Sequence, residues 1–372
     1  MCKKIIFYLI LLQAGVVMTA HARALELFSD SLKINYQYDY IFMVLLSRES
    51  ITSPNGSVNK SSVYIRPYEY NPGTPYVDSL VANGYYSIPL ETIHYDHGNV
   101  VGGSVTTFYP SGKLMPKEVM ALEIPSTGIT QTFAYSNYTP YPEPPGWVYG
   151  LNPDPHYKLR VMLDKYNDKQ KVLQKTIVGG TTTSYVMGYN SRYTIAEITN
   201  AKEEEVAYTS FEKRSPGTWQ FSGVASIDET APMGTQCYEL SGGALSKAGL
   251  PANKIYQLSY WKKAGASINI SGATVIKTIT GRQLNGWEYV VVQLSVNGIV
   301  SLSGSGYIDE VRLHPKDAMM VSYCYRPLFG KISECDARGN TQYWEYDALQ
   351  RPKFELDRDK NIVKSYDYHI KN

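Results

Sequence analysis

The C-terminal end of the chain contains two similar segments, and this repeat constrains the fold more than any other feature. The segments FGKISECDARGNTQYWEYDAL and LQRPKFELDRDKNIVKSYDYHI align with a period of 20 or 21 residues (351 − 331 = 20; 357 − 336 = 21). A period of this size is typical of a stacked β-hairpin that cannot bury its own face alone. The aligned pairs are Lys331 and Arg351, Asp336 and Asp357, Asn340 and Asn361, and Tyr346 and Tyr366.

Composition favours strands over helices. Of 372 residues, 33 are Tyr, 29 are Gly and 20 are Pro. Tyr fits a half-buried pleated surface, Gly and Pro occur at turns, and amphipathic stretches rich in Ala, Leu and Glu are scarce. The sequence therefore predicts an all-β fold. Two local features are also expected, a short helix within residues 77–83 and a hairpin that turns at Gly179-Gly180.

The N-terminus has the layout of a secretory signal peptide. Lys3 and Lys4 precede the apolar run IIFYLILLQAGVVM, and TAHARA offers small-residue cleavage sites, the best of them after Ala22. Residues 1–22 are therefore predicted to be a cleaved signal peptide, which places the protein at the cell surface, in the periplasm or outside the cell. The apolar run is too short and too weakly flanked for a membrane span, so an integral membrane protein is not expected.

Cleavage after Ala22 leaves a chain without net charge. It removes two of the 36 Lys and Arg residues, so 34 (36 − 2) face 34 Asp and Glu. Such a chain lacks the electrostatic footprint of a protein that binds nucleic acid or anionic lipid. Three cysteines remain, Cys237, Cys324 and Cys335. Their odd number and loose spacing fit neither a disulfide framework nor a metal cluster, so free thiols are expected.

The texture of the sequence changes twice along the mature chain. Residues 23–205 form a Tyr-rich region of alternating and turn-rich segments. In residues 206–317, strands such as IYQLSYWKKAG and WEYVVVQLSV are separated by Gly/Ser/Asn turns about every ten residues, which is typical of a β-sandwich. Residues 318–372 return to the Tyr-rich pattern and contain the repeat. The predicted architecture is a Tyr-rich β-hairpin sheet with a β-sandwich inserted into it.

The repeated Tyr-Asp pairs are also the first candidates for catalysis. Glycoside hydrolysis requires two carboxylates, which Tyr346-Asp347 and Tyr366-Asp367 could supply as an acid–base set. However, the pairs recur with the structural period of the chain. A packing and turn device is expected to recur in this way, whereas a catalytic centre is not. The architectural interpretation is therefore favoured.

Two weaker candidates for chemistry have simpler explanations. His94-x-x-His97 lies in a turn without a third and fourth metal ligand nearby, so solvated loop histidines are expected. A nucleophile pair of Cys335 and His369 is less plausible than a cysteine packed within a strand. No enzymatic activity is predicted from these residues.

The end of the chain resembles the YD-repeat, or Rhs-type, family. YDALQRPKFELDRDKNIVKSYDY follows the family pattern of Tyr-Asp-x-x-Gly-Arg, an Asp-x-x-Gly-Asn turn and a further Tyr-x-Tyr, with Gln350 in place of the usual Gly. TTSYVMGYNSRYTIAEITNA and GYIDEVRLHPKDAMMVSYCY resemble secreted members of the Bacteroidetes type. The resemblance implies repeats that wind into a β-strand shell. The residues matching the repeat motif are Tyr346, Asp347, Arg351, Asp357, Asn361, Tyr366 and Asp367.

The inserted region resembles a carbohydrate-binding-module-like jelly roll. In such domains the first and last strands are neighbours and commonly hold a structural Ca²⁺, which implies Glu212 and Asp309 as ligands. The alternative is that both are solvated carboxylates at strand ends. The apolar residues around Asp309 change from even to odd positions in the sequence, so their regular alternation is interrupted. This predicts a β-bulge between Asp309 and Glu310. Sugar binding would need exposed aromatic rings, and Trp287 and Tyr289 are the candidate glycan platform. Trp219 and Trp261 match core residues of the resembled domain instead.

These observations predict a secreted, non-enzymatic structural or interaction protein, a component of a surface or shell, with a glycan or cell-surface polymer as its partner. An alternative is carbohydrate binding through the jelly roll at 206–317. A third reading is the remnant of a polymorphic-toxin delivery protein. It follows from the resemblance, because some members of the family carry a toxin domain behind the last repeat, whereas this chain ends shortly after Asp367.

Overall fold

A computed structural model describes residues 33–38, 45–53, 56–70, 73, 75–111, 113–125, 129, 133–137 and 151–369. The predicted signal peptide, residues 1–22, lies outside this part of the chain. Most of the described residues are in β-strands and very few are in helices, which confirms the all-β prediction. They form two compact units, one of the described residues up to 106 with those in 120–158, and the other of the described residues in 107–119 with those in 159–369.

The first unit is an antiparallel meander in which β1 to β5 pair in sequence order. A helix follows β3, close to the predicted position. None of the described helices has the length and hydrophobicity of a membrane span. Val77 and Leu80 of this helix are buried. The elements are β1 (Lys33–Tyr38), β2 (Leu46–Thr52), β3 (Val58–Ile65), a 3-10 turn (Pro67–Glu69), α1 (Pro75–Ala82), β4 (Glu91–Asp96) and β5 (Asn99–Phe108). The residues of β6 (Pro116–Leu122) are divided between the two units.

The second unit contains two sheets, of which the first is called the repeat sheet. Its strands are antiparallel, and β8 and β9 are joined by a turn at Gly179-Gly180, as predicted. The strands, in their order across the sheet, are β7 (Tyr157–Tyr166), β8 (Val172–Ile177), β9 (Thr182–Gly188), β10 (Tyr193–Thr199), β18 (Met319–Arg326), β19 (Gly330–Cys335), β20 (Thr341–Tyr346), β21 (Pro352–Leu356) and β22 (Ile362–Ser365).

The chain between β10 and β18 forms the other sheet, called the sandwich sheet. Although β10 and β18 are far apart in sequence, they are direct neighbours, with Thr199 opposite Met319. The intervening strands are β11 (Ala207–Thr209), β12 (Ala225–Ile227), β13 (Gln236–Glu239), β14 (Leu245–Lys263), β15 (Ser267–Leu284), β16 (Trp287–Ser305) and β17 (Tyr307–Pro315), with 3-10 turns at Glu203–Glu205 and Leu240–Gly242.

Three long strands allow the sandwich sheet to fold over on itself. β14, β15 and β16 have 18 or 19 residues each, and their pairing register shifts near the same level. Gly249, Gly272 and Gly298 lie at these shifts with positive φ angles of 76°, 76° and 88°. Glycine adopts such angles without a steric penalty, so the ribbon can kink there. The two halves then enclose one core that includes Leu245, Leu302 and other buried residues.

Candidate functional site: a polar seam between the two sheets

The last strand of the sandwich sheet carries charged residues into the interior between the two sheets. β17 pairs with β11 on one side, so the first and last strands are neighbours, and with β14 on the other. The register of β14 and β17 shifts where Glu310 lies, and Glu310 has a φ of 51°. The predicted bulge is therefore present. It turns the Glu310 side chain towards the repeat sheet.

Glu310 and Arg312 form a buried ion pair at this point. Arg312 Nε lies 2.7 Å from Glu310 Oε1, and both side chains are at most 2% exposed. The other carboxylate oxygen, Oε2, accepts a 2.7 Å hydrogen bond from the hydroxyl of Tyr208 on β11. Ser322 on β18 also donates to Glu310. The carboxylate is thus fully paired, which is what makes a buried charge tolerable.

The rest of the Arg312 guanidinium binds the repeat sheet. Nη1 donates to the backbone oxygen of Asp336 at 2.8 Å, and Nη2 donates to that of Cys335 at 2.9 Å. These two carbonyls lie at the end of β19, where the first repeat turn begins. Nη2 also donates to the hydroxyl of Ser322 on β18. Because the planar guanidinium has five donors in a fixed fork, one side chain connects β17 to β18 and β19. We call this arrangement the Arg312 clasp.

Sequence reasoning had missed Arg312. The local signal for it is an Arg between the apolar residues Val311 and Leu313, and a buried Arg requires a partner. That partner, Glu310, is two residues away, and its Oε1 lies 2.7 Å from Arg312 Nε. The other hydrogen-bond acceptors of the guanidinium lie within residues 320–336.

Glu212 and Asp309, the predicted calcium ligands, both bind one loop. Glu212 Oε1 accepts the backbone N–H groups of Thr235 and Gln236 at 2.6 and 2.9 Å. Asp309 Oδ2 accepts the backbone N–H of Met233 at 2.9 Å, and Asp309 Oδ1 accepts the backbone N–H of Glu310 at 2.6 Å. Burial, followed by the charge of Glu310, raises the pKa of Asp309 well above its usual value. The two carboxylates therefore hold residues 233–236 in place.

This donor set does not fit a calcium ion. Ca²⁺ takes roughly six to eight oxygen ligands, whereas N–H groups point at three of the four oxygens of Glu212 and Asp309. Within the part of the chain that the structure describes, no group of three or more His, Cys, Asp or Glu residues could hold a metal. Calcium binding remains a prediction that chelation can test.

The loop held by these carboxylates packs on the repeat sheet. Tyr343 on β20 donates a 3.0 Å hydrogen bond from its hydroxyl to the backbone oxygen of Pro232. Met233 is buried in a cluster with Cys324 and Cys335. All three predicted free thiols are confirmed as free and buried. Burial raises the pKa of Cys335 to about 12, so this thiol is a packing group and not a nucleophile.

The repeat residue Asp347 caps a tight turn. Its Oδ1 accepts the backbone N–H groups of Leu349 and Arg351 at 2.8 and 2.9 Å, and its Oδ2 accepts Arg351 Nε at 2.8 Å. The turn closes through Asp347 N–H to Arg351 O at 2.8 Å, and Gln350 has a φ of 64°. The preceding Tyr346 donates its hydroxyl proton to Lys331 O on β19. Both residues of the pair serve architecture.

The same five-residue turn occurs at four places in the repeat sheet. Asp336 accepts the N–H groups of Arg338 and Asn340, and Asp357 accepts those of Asp359 and Asn361, at 2.8 to 2.9 Å. The fourth copy, between β7 and β8, begins at Asn167 and was not predicted. The signal for it is weak in the sequence, because Asn replaces Asp and Gln170 stands where Gly is usual. In all four turns the fourth residue has a positive φ.

The second Tyr-Asp pair does not join the first at a common site. The hydroxyl of Tyr366 is hydrogen-bonded to Glu355, and Asp367 is exposed with an oxygen 3.3 Å from His369 Nε2. Asp347, in contrast, is bonded within its own turn. Among the described contacts, nothing brings the two Asp carboxylates together as an acid–base set.

The predicted glycan platform is buried, so this prediction is wrong for both rings. Trp287 is 0% exposed and Tyr289 is 8% exposed. They pack with Trp261 and Cys237, and the Trp287 ring nitrogen donates to Thr230 Oγ1 at 3.0 Å. Stacking on a sugar requires an accessible ring face, which neither residue offers. At this end of β14 and β16 both faces are buried, because Tyr260 and Val290 belong to the core of the sandwich sheet and Trp261 and Tyr289 to a cluster on the opposite face. Sequence alternation alone could not show this. Trp219 and Trp261 are buried as well.

The histidine candidates are polar pairs on the surface of the first unit. His94 Nδ1 lies 2.9 Å from the hydroxyl of Ser62, and His97 Nδ1 lies 2.7 Å from a carboxylate oxygen of Asp96. The two histidines thus have separate partners.

Comparison with known proteins leaves the chain without an assigned family. No family model matches it, and no curated protein matches it. Among solved structures, it is similar to one titled "Crystal Structure of TcdB2-TccC3-TEV", at 11% identity over 91% of this chain and a TM-score of 0.15. It is also similar to TcdB2-TccC3 without its hypervariable C-terminal region, at 9% identity over 90% of this chain and a TM-score of 0.13. The chain spans 15% and 17% of the lengths of these two proteins.

Proposed function

We propose that this protein is a secreted, non-enzymatic structural protein of Rhs/YD-repeat type, in which the sandwich sheet locks the terminal hairpins in place. The observation that carries the proposal is the five-residue Asx turn, which recurs with the same hydrogen bonds at Asp336, Asp347 and Asp357. A side chain that performs the same local task in each repeat is a building element. We also propose that the protein is a surface or shell component, with a glycan or other cell-surface polymer as its partner.

The state of the acidic residues supports a non-enzymatic role. Glu310 is neutralised by Arg312, and Glu212 and Asp309 accept backbone N–H groups. A general acid or base must reach its substrate, whereas Glu310 and Asp309 are fully buried. The carboxylates of the repeat turns are more exposed, but their oxygens are occupied by their own turns.

A second group of contacts supports the locking role of the sandwich sheet. Arg282 on β15 donates to the backbone oxygens of Gly339 and Arg358, at 3.4 and 3.2 Å, in the first and third repeat turns. Its guanidinium lies 5.1 Å from the centre of the Trp261 ring. Together with the Arg312 clasp, these bonds attach the sandwich sheet to successive hairpins at both a buried and an exposed position.

The proposal can be tested by fractionation and by an activity screen. N-terminal sequencing of the protein from the exported fraction should begin at Arg23, because cleavage is expected after Ala22. The purified protein should release no product from a panel of polysaccharides, including peptidoglycan. Hydrolysis that disappears in Asp347→Asn, a change that keeps the turn acceptor, would overturn the non-enzymatic role. Retention of the full chain in the cytoplasm would overturn the secreted one.

A further inference from the structure

Four loops of the second unit meet at one end of the repeat sheet. Lys169 donates to the backbone oxygen of Asn190, and the N–H of Asn190 donates to Arg214 O at 3.2 Å. Tyr189 accepts the N–H of Tyr325 on its hydroxyl at 2.9 Å. These bonds connect the loops 167–171, 188–193, 211–216 and 325–330. We call this region the basic end.

The basic end has a high density of unpaired positive charge. Its loops expose six cationic side chains, and in the described part of the chain none of them takes part in an ion pair. The acidic residues of the same loops are Asp168, which is exposed, and Glu212, whose carboxylate is occupied by Thr235 and Gln236. The six cations are Lys169, Lys171, Arg192, Lys213, Arg214 and Arg326.

An apolar tip projects from the same end. Leu328, in the hairpin between β18 and β19, is 86% exposed and has a φ of 73°. A left-handed conformation is unfavourable for leucine, and in the described chain its exposed side chain recovers no packing energy in return. Arg326 lies with its guanidinium carbon 4.0 Å from the centre of the Phe329 ring. Tyr193, stacked on Tyr325 at 4.8 Å, is also 36% exposed.

Unpaired cations beside an exposed leucine and aromatic rings are typical of a surface that lies on an anionic lipid layer. The cations would attract lipid phosphates, and the leucine would enter the boundary between headgroups and acyl chains. A polyanionic glycan would use the cations but would leave Leu328 in water. We propose that the basic end docks peripherally on an anionic membrane surface, with Leu328 as the inserted residue.

The neutral charge of the whole mature chain conceals this surface. Total charge predicted no affinity for anionic lipid, but the effect of charge falls off within a Debye length, roughly 8 Å at physiological ionic strength. Local density therefore decides binding, and the loops that create it are distant in sequence. Docking on lipid would not require the locking role of the sandwich sheet, so either proposal can fail while the other stands.

Vesicle co-sedimentation of the mature chain, without its signal peptide, tests the proposal. Vesicles of phosphatidylcholine containing phosphatidylglycerol should bind the protein at low salt, and vesicles of phosphatidylcholine alone should not. Binding should fall steeply at high salt. The double variant Arg192→Glu/Arg214→Glu should lower the partition coefficient by an order of magnitude or more. Leu328→Ser, which keeps every charge, should weaken binding several-fold through the lost apolar insertion.

The matched control is Lys60→Glu/Lys277→Glu, which makes the same change in net charge at exposed positions outside the basic end. It should bind anionic vesicles like the unmodified chain. Thermal unfolding checks that each variant is folded, and Leu328→Ser is expected to keep the midpoint because its side chain is exposed. The proposal is overturned if anionic vesicles do not bind, if both double variants lose binding equally, or if Leu328→Ser binds unchanged. Binding to soluble heparin without binding to vesicles would also overturn it.

Discussion

The first and the third repeat turns have the same local structure but very different surroundings. In both, an Asp caps the turn through two backbone N–H groups and an Asn side chain. The first turn, Asp336–Asn340, lies under the sandwich sheet, where Gly339 is buried and Arg312 binds Asp336 O. The third turn, Asp357–Asn361, is largely exposed.

The difference shows why glycine is needed in one turn and dispensable in the other. A Cβ at Gly339 would lie 2.6 Å from the ring of Tyr289, and the φ of Gly339 is 82°. Lys360, at the equivalent place in the third turn, has a φ of 64° and extends over the Tyr343 ring at 5.3 Å. The local conformation alone tolerates a side chain at this place. In the first turn, contact with the sandwich sheet excludes a side chain at this place.

The largest expected effect is that of Arg312→Met. It leaves Glu310 charged and buried without its partner, which is expected to lower the free energy of unfolding by about 3–5 kcal/mol. Urea unfolding followed by Trp fluorescence measures this change. The matched control is Arg351→Met, which removes an exposed Arg from its ion pair with Asp347 and should cost far less. Similar losses in the two variants would contradict the special role of the clasp.

The double variant Glu310→Gln/Arg312→Met refines this test. Since no uncompensated charge remains, it should recover part of the stability lost in Arg312→Met. The reactivity of the buried thiols gives a second measure of whether the interface between the two sheets stays closed. In the folded protein they should not react with a thiol reagent, and Arg312→Met should speed the reaction of Cys324 and Cys335, which pack beside the clasp.

The next effect compares Gly339→Ala with Lys360→Gly. Gly339→Ala introduces a contact with Tyr289 and a strained φ, so a loss of about 2 kcal/mol is expected. Lys360→Gly relieves a left-handed lysine and should leave the thermal midpoint unchanged or slightly higher. Thermal unfolding of both variants under one set of conditions measures the contrast. Equal losses would show that the local turn, and not the sandwich sheet, demands glycine.

A smaller effect is expected from the turn carboxylates, and it depends on pH. The backbone N–H of Asn361 lowers the pKa of Asp357, and hydrogen bonds from Asn340, acting against burial, lower that of Asp336. A carboxyl with a lowered folded pKa stabilises fully above its unfolded pKa of about 3.9, and this stabilisation is lost as the pH falls through the folded pKa. Asp336→Asn and Asp357→Asn should therefore destabilise at pH 7 and converge with the unmodified chain near pH 2.

The smallest effect is expected from removal of calcium. Since backbone N–H groups occupy the oxygens that a cation would need, chelation by EDTA should leave the thermal midpoint unchanged. A ligand that binds only the folded state raises the midpoint. Since calcium is not expected to bind, added calcium should also leave the midpoint unchanged. A calcium-dependent shift that disappears in Glu212→Gln would restore the predicted site.

The repeat was predictable because its determinants are local. The period of the Tyr-Asp pairs, the turn at Gly179-Gly180 and the helix near Val77 each depend on residues adjacent in sequence. The bulge at Glu310 was also visible, as a switch in the parity of apolar residues. The glycan platform failed for the opposite reason. β14 carries aromatic residues on both faces, so alternation could not show which rings would be covered.

By itself the sequence determined an all-β chain, the Asx turns of the repeat and the free thiols, because strand propensity, turn chemistry and cysteine spacing act over a few residues. Only the tertiary structure decided that Arg312 would be paired inside a seam and that Gly339 would lie under Tyr289. It also gathered six cations from four loops around one exposed leucine. Those features depend on contacts between segments far apart in the chain, and no local pattern records which segments will meet.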